Sequence, residues 1–167
     1  MSIAHRLLPE FTQEMATTRR VLDRIPEDRL NWQPHAKSMT LGRLATHLAE
    51  IPGYAALTLT QEGLDLAAAR AAGAAPKILA TRQEILDLFD ANVATGRAAI
   101  EATGDDTFGQ AWTMRRGEQV IFTLPRVGAL NSVVIHHTIH HRGQLSVYLR
   151  LNDVAVPSIY GPSADEQ

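Results

Sequence analysis

Apolar residues recur at steps of three and four along four segments of this 167-residue chain, each about twenty residues long. Such a step places the apolar side chains on one face of an α-helix, so each helix must bury that face against another element. The segments begin near Ser2, Ser38 or Thr40, Arg82 and Arg126, and they end near Arg24, Thr60, Gly104 and Leu151. The pattern predicts an all-α fold, a four-helix bundle with a long crossover between the second and third helices.

Local signals place several of the helix ends and breaks. Thr81 followed by Glu84 is a capping box, which starts the third helix. Pro52 and Gly53 interrupt the second segment, and they predict a kink from which the helix continues. The Ala-rich stretch from Leu64 to Lys77 is interpreted as a partly helical connection with no strong pattern of its own.

The periodicity changes between Asp105 and Pro125. Two short apolar stretches flank a turn at Gly117, which predicts a small β-hairpin before the fourth helix. A two-stranded hairpin is marginally stable alone, so we expect it to pack on the helices. The tail Val154–Gln167 contains two prolines and is not helical throughout. Because no repeat or linker is visible, residues 1–167 are predicted to form a single domain.

Composition excludes several classes of protein. The chain has seven histidines and no cysteine, which excludes disulfide scaffolds, thiolate zinc sites, iron–sulfur clusters and cysteine nucleophiles. Any metal must therefore be held by imidazole and oxygen. Sixteen basic and eighteen acidic residues, without a long basic run, argue against a nucleic-acid partner. The first residues lack a signal-peptide pattern, and no apolar stretch is long enough to span a membrane, so we expect a soluble, cytoplasmic protein.

Four of the seven histidines fall within six consecutive residues of the fourth helix. Because residues four apart share a helix face, His136 pairs with His140 and His137 pairs with His141, and the two pairs point about 100° apart. Either pair can hold one metal ion, but both cannot face the same ion. No glutamate lies between the paired histidines, so the H-E-x-x-H metalloprotease mechanism is absent. His47 lies on the apolar face of the second helix and is the candidate third ligand.

Three stretches resemble the DinB/YfiT-like superfamily of metal-dependent proteins, which includes thiol-dependent S-transferases and the mycothiol-dependent maleylpyruvate isomerase. The stretches are Trp32–His47, His137–Arg150, which begins with the pattern H-x-x-x-H-R-G-Q, and Val156–Asp165. The resemblance implies a four-helix bundle in which three histidines bind a divalent metal ion. Carried over by position, these ligands are His47, His137 and His141, whereas His136 and His140 occupy positions that do not ligate. Members of the family often pair into homodimers through helix faces.

A three-imidazole site leaves open coordination positions, as catalytic metal sites do. Imidazole ligands suit zinc or nickel best here, with iron, manganese and copper as alternatives. The resemblance favours an S-transferase in which a low-molecular-weight thiol attacks a small-molecule electrophile. A metal-dependent hydrolase and a non-catalytic metal-binding stress-response module are the alternatives. The catalytic residues are not assigned.

Residues near the histidines have two readings each. Glu50 is interpreted as a solvated carboxylate in preference to a fourth ligand or a base, and Gln144 orients a ligand imidazole or bonds the backbone. Gly143 is interpreted as a packing position, while Arg43 and Arg142 are surface residues or receive an anionic substrate. We expect packing roles for Trp32, Trp112 and Tyr148. His5 and His35 are expected to be exposed or to form local hydrogen bonds. No role is assigned to Tyr160 or Asp165.

Overall fold

Helices make up most of the chain in the computed structural model, which describes residues 2–73 and 77–166. The helices are α1 (Ile3–Leu22), α2 (Leu41–Glu50), α3 (Tyr54–Thr60), α4 (Leu66–Ala71), α5 (Arg82–Ala102), α6 (Asp105–Gly109), α7 (Arg126–Leu130) and α8 (His137–Leu151). The strands are β1 (Gly63–Asp65), β2 (Ala111–Arg116) and β3 (Gln119–Pro125). The mainly helical class is confirmed, but the count of four helices is not. None of the helices in the described part of the chain is long and apolar enough to cross a membrane.

The second predicted helix is divided at Pro52, where a 3₁₀ turn, Ile51–Gly53, separates α2 from α3. Helix α5 packs against this break and compensates for it. Asn92 donates a side-chain hydrogen bond of 2.8 Å to the carbonyl of Ala49, close to the point where proline interrupts the helical bonding. Gly96 permits the close approach, because a Cβ atom there would lie 2.6 Å from the carbonyl oxygen of Pro52. These contacts with α5 hold the last turn of α2 in place despite the break.

The fourth predicted helix, Arg126–Leu151, has the expected ends but is not uniform. A π-helical segment, Asn131–His136, joins α7 to α8. The backbone N–H of His137 bonds the carbonyl of Val134 instead of that of Val133, four residues back. The carbonyl of Val133 therefore does not receive its regular α-helical partner. The prediction of one regular helix from Arg126 to Leu151 was therefore wrong in this segment.

The long helices pack around a shared apolar core. Helix α5 contacts α1, α2 and α3, while α8 contacts α1 and α2. The side chains at the centre are at most 2% exposed, and they include Phe11, Met15, Leu44, Leu48, Phe89, Leu145 and Leu149. Helix α8 therefore has α1 along one side and α2 along another, which places residues of its different faces against different partners.

The sheet has three strands in the order β1-β2-β3. The predicted hairpin is confirmed, since β2 and β3 are antiparallel, with a register shift between Met114 and Arg115. Trp112 is 1% exposed and anchors the hairpin in the core. Strand β1 pairs with β2 in parallel and was not predicted. It lies with α4 in the stretch interpreted as a partly helical connection, of which residues 74–76 are outside the described residues.

The non-helical tail after α8, which the prolines predict, is tied to two helices. Arg20 of α1 donates a hydrogen bond of 3.0 Å to the carbonyl of Ser158. Arg24 forms an ion pair of 2.8 Å with Glu166. On the other side, Arg150 of α8 pairs with Asp165. The tail thus has fixed attachments on α1 and α8.

The capping box at the start of α5 provides a test of local stability. Thr81 Oγ1 accepts a hydrogen bond of 3.1 Å from the N–H of Glu84, and Glu84 Oε2 accepts one of 3.1 Å from the N–H of Thr81. We expect Thr81→Ala to lower the free energy of unfolding by about 1 kcal/mol, measured by urea denaturation. Thr95→Ala, at an exposed position inside the same helix, is the control and should be near neutral. Equal losses in the two variants would contradict a capping role.

Candidate metal centre

Three histidines from two helices converge at the contact between α2 and α8. Each of His47, His137 and His141 offers a ring nitrogen, and these atoms lie within 4.8 Å of one another. The ring centroids are 4.9 Å apart for His47 and His137, 4.8 Å for His47 and His141, and 4.7 Å for the two histidines of α8. The structure therefore brings together the three residues that were predicted as metal ligands. His136 and His140 are exposed.

Each of the three imidazoles has a partner at Nδ1. The Nδ1 atom of His47 lies 3.2 Å from Glu50 Oε2. The Nδ1 atom of His137 lies 3.3 Å from the backbone carbonyl of Val133, in the π-helical segment. The Nδ1 atom of His141 lies 2.7 Å from the amide oxygen of Gln144. Because all three partner atoms are acceptors, each Nδ1 carries the proton in the neutral ring and Nε2 keeps its lone pair.

The inward-facing nitrogen atoms are arranged as metal ligands are. Nε2 of His47 lies 3.2 Å from Nε2 of His137, so two lone pairs face each other at hydrogen-bond distance without a proton to share. Two nitrogen ligands of a tetrahedral ion, each about 2.0–2.1 Å from the ion, would lie about 3.3 Å apart. A cation between the two atoms turns this repulsion into two bonds. The donor set and its spacing therefore fit a divalent metal ion.

The electrostatics of the site favour neutral imidazoles. Burial lowers the pKa of His137 from its ordinary value of 6.5 to about 4, and the neighbouring His47 and His141 act in the same direction. Burial also lowers the pKa of His141, although its hydrogen bond to Gln144 opposes the change. Metal ions bind the deprotonated ring, so both shifts extend the pH range over which these two ligands are available.

Glu50 is not the solvated carboxylate that was expected. Its side chain is 24% exposed, and the same Oε2 atom that faces His47 lies 3.1 Å from Arg43 Nη2. Burial acts to raise the pKa of Glu50, but the hydrogen bond from His47 and the charge and hydrogen bonds of Arg43 together lower it. An ionised Glu50 thus orients His47, as carboxylates commonly do for metal-ligating histidines. Arg43 is committed to this carboxylate rather than to a substrate.

Other predicted neighbours divide into those that support the site and those that do not. Gln144 accepts a hydrogen bond from the imidazole of His141, so of the two roles considered for Gln144 it has the one that orients a ligand. Gly143 was interpreted as a packing position, but a Cβ atom there would meet no described atom within 4 Å. Arg142 was expected at the surface and is instead buried. The expected roles of the remaining residues agree with the structure: Trp112 is buried, Trp32 and Tyr148 form an edge-to-face pair, and His5 and His35 are exposed.

Two parts of the site were missed by sequence reasoning. The carbonyl of Val133 is a backbone group in the π-helical segment, for which the residue pattern has no signal. Arg43 lies four residues before His47, on the same face of α2, and this spacing was a usable signal for a supporting role. Glu50, three residues after His47, carried the same kind of signal.

The lowered pKa of His137 predicts that metal-free protein loses stability in acid. Between about pH 6.5 and pH 4 the unfolded chain holds a proton on this imidazole that the folded chain does not, so the free energy of unfolding falls as the pH falls. Screening of this partly buried ring should keep the effect below about 1 kcal/mol per pH unit. Urea denaturation with a chelator at pH 7 and pH 5 measures the change. His137→Gln should show a smaller loss, and an equal loss would contradict the assignment.

Comparison with known proteins places these features in a family. The family model for the DinB superfamily matches residues 10–145. The chain is 28% identical over 159 residues to the uncharacterized protein YrdA of Bacillus subtilis (strain 168), and the match covers 95% of this chain and 89% of YrdA.

Three solved structures share the fold. A DinB-like protein of Bacillus cereus ATCC 10987 has a TM-score of 0.68 at 22% identity, covering 92% of this chain and 95% of that one. The DinB-like protein YjoA of Bacillus subtilis has a TM-score of 0.67 at 16% identity, covering 97% and 99%. A DinB-family protein of Exiguobacterium sibiricum 255-15 has a TM-score of 0.64 at 20% identity, covering 92% and 94%. Since the family model spans most of its length, the chain belongs to the DinB superfamily.

Proposed function

We propose that His47, His137 and His141 bind one divalent metal ion through their Nε2 atoms. The observation that carries this proposal is the pair of facing Nε2 lone pairs, 3.2 Å apart, on rings whose Nδ1 atoms are all engaged by acceptors. Such an arrangement is unfavourable without a cation and favourable with one. Zinc or nickel suits an all-imidazole site best, with iron, manganese and copper as alternatives.

The proposed reaction is a thiol-dependent S-transfer. When bound, the ion would supply Lewis acidity that favours the deprotonated form of a thiol or of water at an open position. Three neutral imidazoles leave the charge of the ion uncompensated, and Glu50 is already paired with Arg43. An anionic thiolate is therefore a well-matched ligand. In the transfer the thiol loses its proton to solvent, a sulfur–carbon bond forms, and the leaving group of a small-molecule electrophile departs with the electron pair.

One feature of this chain favours the thiol over water as the nucleophile. Since the chain has no cysteine, the thiol of the proposed reaction belongs to a separate low-molecular-weight molecule. A general base assists hydrolysis, and the nearby carboxylate of Glu50 is occupied by hydrogen bonds from His47 and Arg43. A hydrolase and a non-catalytic metal-binding module are the alternative outcomes of the experiments below. Pairing of two chains into a homodimer stays a prediction.

The metal content of the purified protein tests the site itself. Protein prepared without a nickel column should contain about one divalent ion per chain by elemental analysis. His137→Ala should lower metal affinity by at least about tenfold to a hundredfold, since it removes one of three ligands. His140→Ala is the matched control, because His140 lies on the same helix but is exposed and outside the triad. Unchanged metal content in the His137 variant would rule out the proposed ligands.

A substrate screen tests the reaction. Metal-loaded protein should consume a generic electrophile only when a low-molecular-weight thiol is present, and His137→Ala should lose this turnover while His140→Ala keeps it. Turnover of esters or amides without thiol would favour the hydrolase. Absence of both activities in protein that holds its metal would favour the non-catalytic module.

A further inference from the structure

Arg142 directly follows the predicted ligand His141, but its side chain leaves α8 on a different face. Consecutive residues of a helix diverge by about 100°, so Arg142 enters the contact with α1 while His141 faces α2. The side chain of Arg142 is only 1% exposed. A cation buried to this degree requires a charged or hydrogen-bonding partner.

Glu14 of α1 is that partner. Arg142 Nη1 lies 2.7 Å from Glu14 Oε2, and the side chain of Glu14 is 8% exposed. The same nitrogen lies 3.2 Å from the backbone carbonyl of Glu14 and 3.2 Å from the hydroxyl of Thr18. Helices α1 and α8 are therefore joined by a buried ion pair with additional hydrogen bonds, in which the guanidinium has little freedom to move.

Tyr160 of the C-terminal tail completes the contact. Its hydroxyl donates a hydrogen bond of 2.9 Å to Glu14 Oε2 and accepts one of 2.6 Å from Arg142 Nη2. The guanidinium carbon of Arg142 also lies 5.0 Å from the centre of the tyrosine ring. Tyr160 is 64% exposed, so it contributes little apolar burial. Its contribution is to bridge the two charged groups through its hydroxyl.

The tail that carries Tyr160 is fixed on both sides of it. The bond from Arg20 to Ser158 lies before Tyr160, and the ion pair of Arg24 with Glu166 lies after it. Tyr160 is thus presented to Arg142 by anchored chain. Three elements, α1, α8 and the tail, meet at a single guanidinium group next to a predicted metal ligand.

We infer that Arg142 and Tyr160 are positioning residues for the metal centre. Through these two residues the tail fixes the rotation of α8, and this rotation sets the direction of His137 and His141. The inference rests on the proposed metal site. Metal ligands must be held to within about 0.5 Å and 10–20° of their working geometry. The π-helical segment before His137 departs from regular α-helical bonding, so α8 does not continue α7 as one regular α-helix.

Cobalt(II) binding to the full-length protein tests the inference, because the visible spectrum of cobalt reports the geometry of its ligands. Tyr160→Phe keeps the ring over the guanidinium but removes both hydroxyl hydrogen bonds. We expect cobalt affinity to fall about threefold to tenfold, less than for loss of a direct partner of a ligand, with a changed visible spectrum. Hydrogen exchange should also be faster in α8 of the metal-free variant. Arg142→Lys, which keeps the charge but not the fork of donors, should show a larger effect.

Asp90→Asn is the matched control, since it breaks an exposed ion pair of α5 with Arg19 of α1 without touching α8 or the tail. Its cobalt affinity should stay within about twofold of the unmodified protein. Unchanged affinity in Tyr160→Phe would overturn the inference and leave the metal site standing. Equal losses in Tyr160→Phe and Asp90→Asn would also overturn it, because they would indicate general loosening of the bundle. Failure of the unmodified protein to bind cobalt or zinc would overturn the proposed function, and the inference with it.

Discussion

The rotation of α8 about its own axis is the constraint on which the candidate site depends. One face of this helix directs His137 and His141 toward α2, and an adjacent face directs Arg142 into its contact with Glu14 of α1. A buried ion pair resists rearrangement, because separating the charges leaves each of them unpaired in a medium of low polarity. The same helix cannot turn to improve one contact without losing the other. The position of the imidazoles is therefore linked to a polar interaction on an adjacent face of the helix.

The direction of each imidazole is set by a different kind of acceptor. A carboxylate holds His47, a backbone carbonyl holds His137, and a side-chain amide holds His141. These partners come from α2, from α8 and from the π-helical segment just before α8, so each ring is oriented by a residue three or four positions away in the sequence. Arg43 offsets the charge of the carboxylate, which allows an ionised group to lie beside His47 without adding net charge to the centre. Such a centre is organised before any ligand binds.

Elements that depend on neighbouring residues were predictable, and elements that depend on distant contacts were not. The capping box at Thr81 and the hairpin around Gly117 involve residues close in sequence, and both occur as expected. The three histidines meet as the family resemblance implied. Strand β1 was missed because three residues become a strand only by pairing with β2, far along the chain. Glu14 lies on the apolar face of α1, and a carboxylate in such a place indicates a buried partner. The partner, Arg142, lies 128 residues away, and no local pattern identifies it.

The π-helical segment Asn131–His136 has a consequence for chain length within the family. A turn with bonding between residues five apart takes up roughly one residue more than an α-helical turn, so it absorbs a single inserted residue without rotating the helix that follows. Removal of one residue from this segment would restore α-helical bonding there and leave the direction of the histidines unchanged. A change of length between His137 and His141 would instead destroy their common face. This helix therefore tolerates a change of one residue between Asn131 and His136 but not after His137.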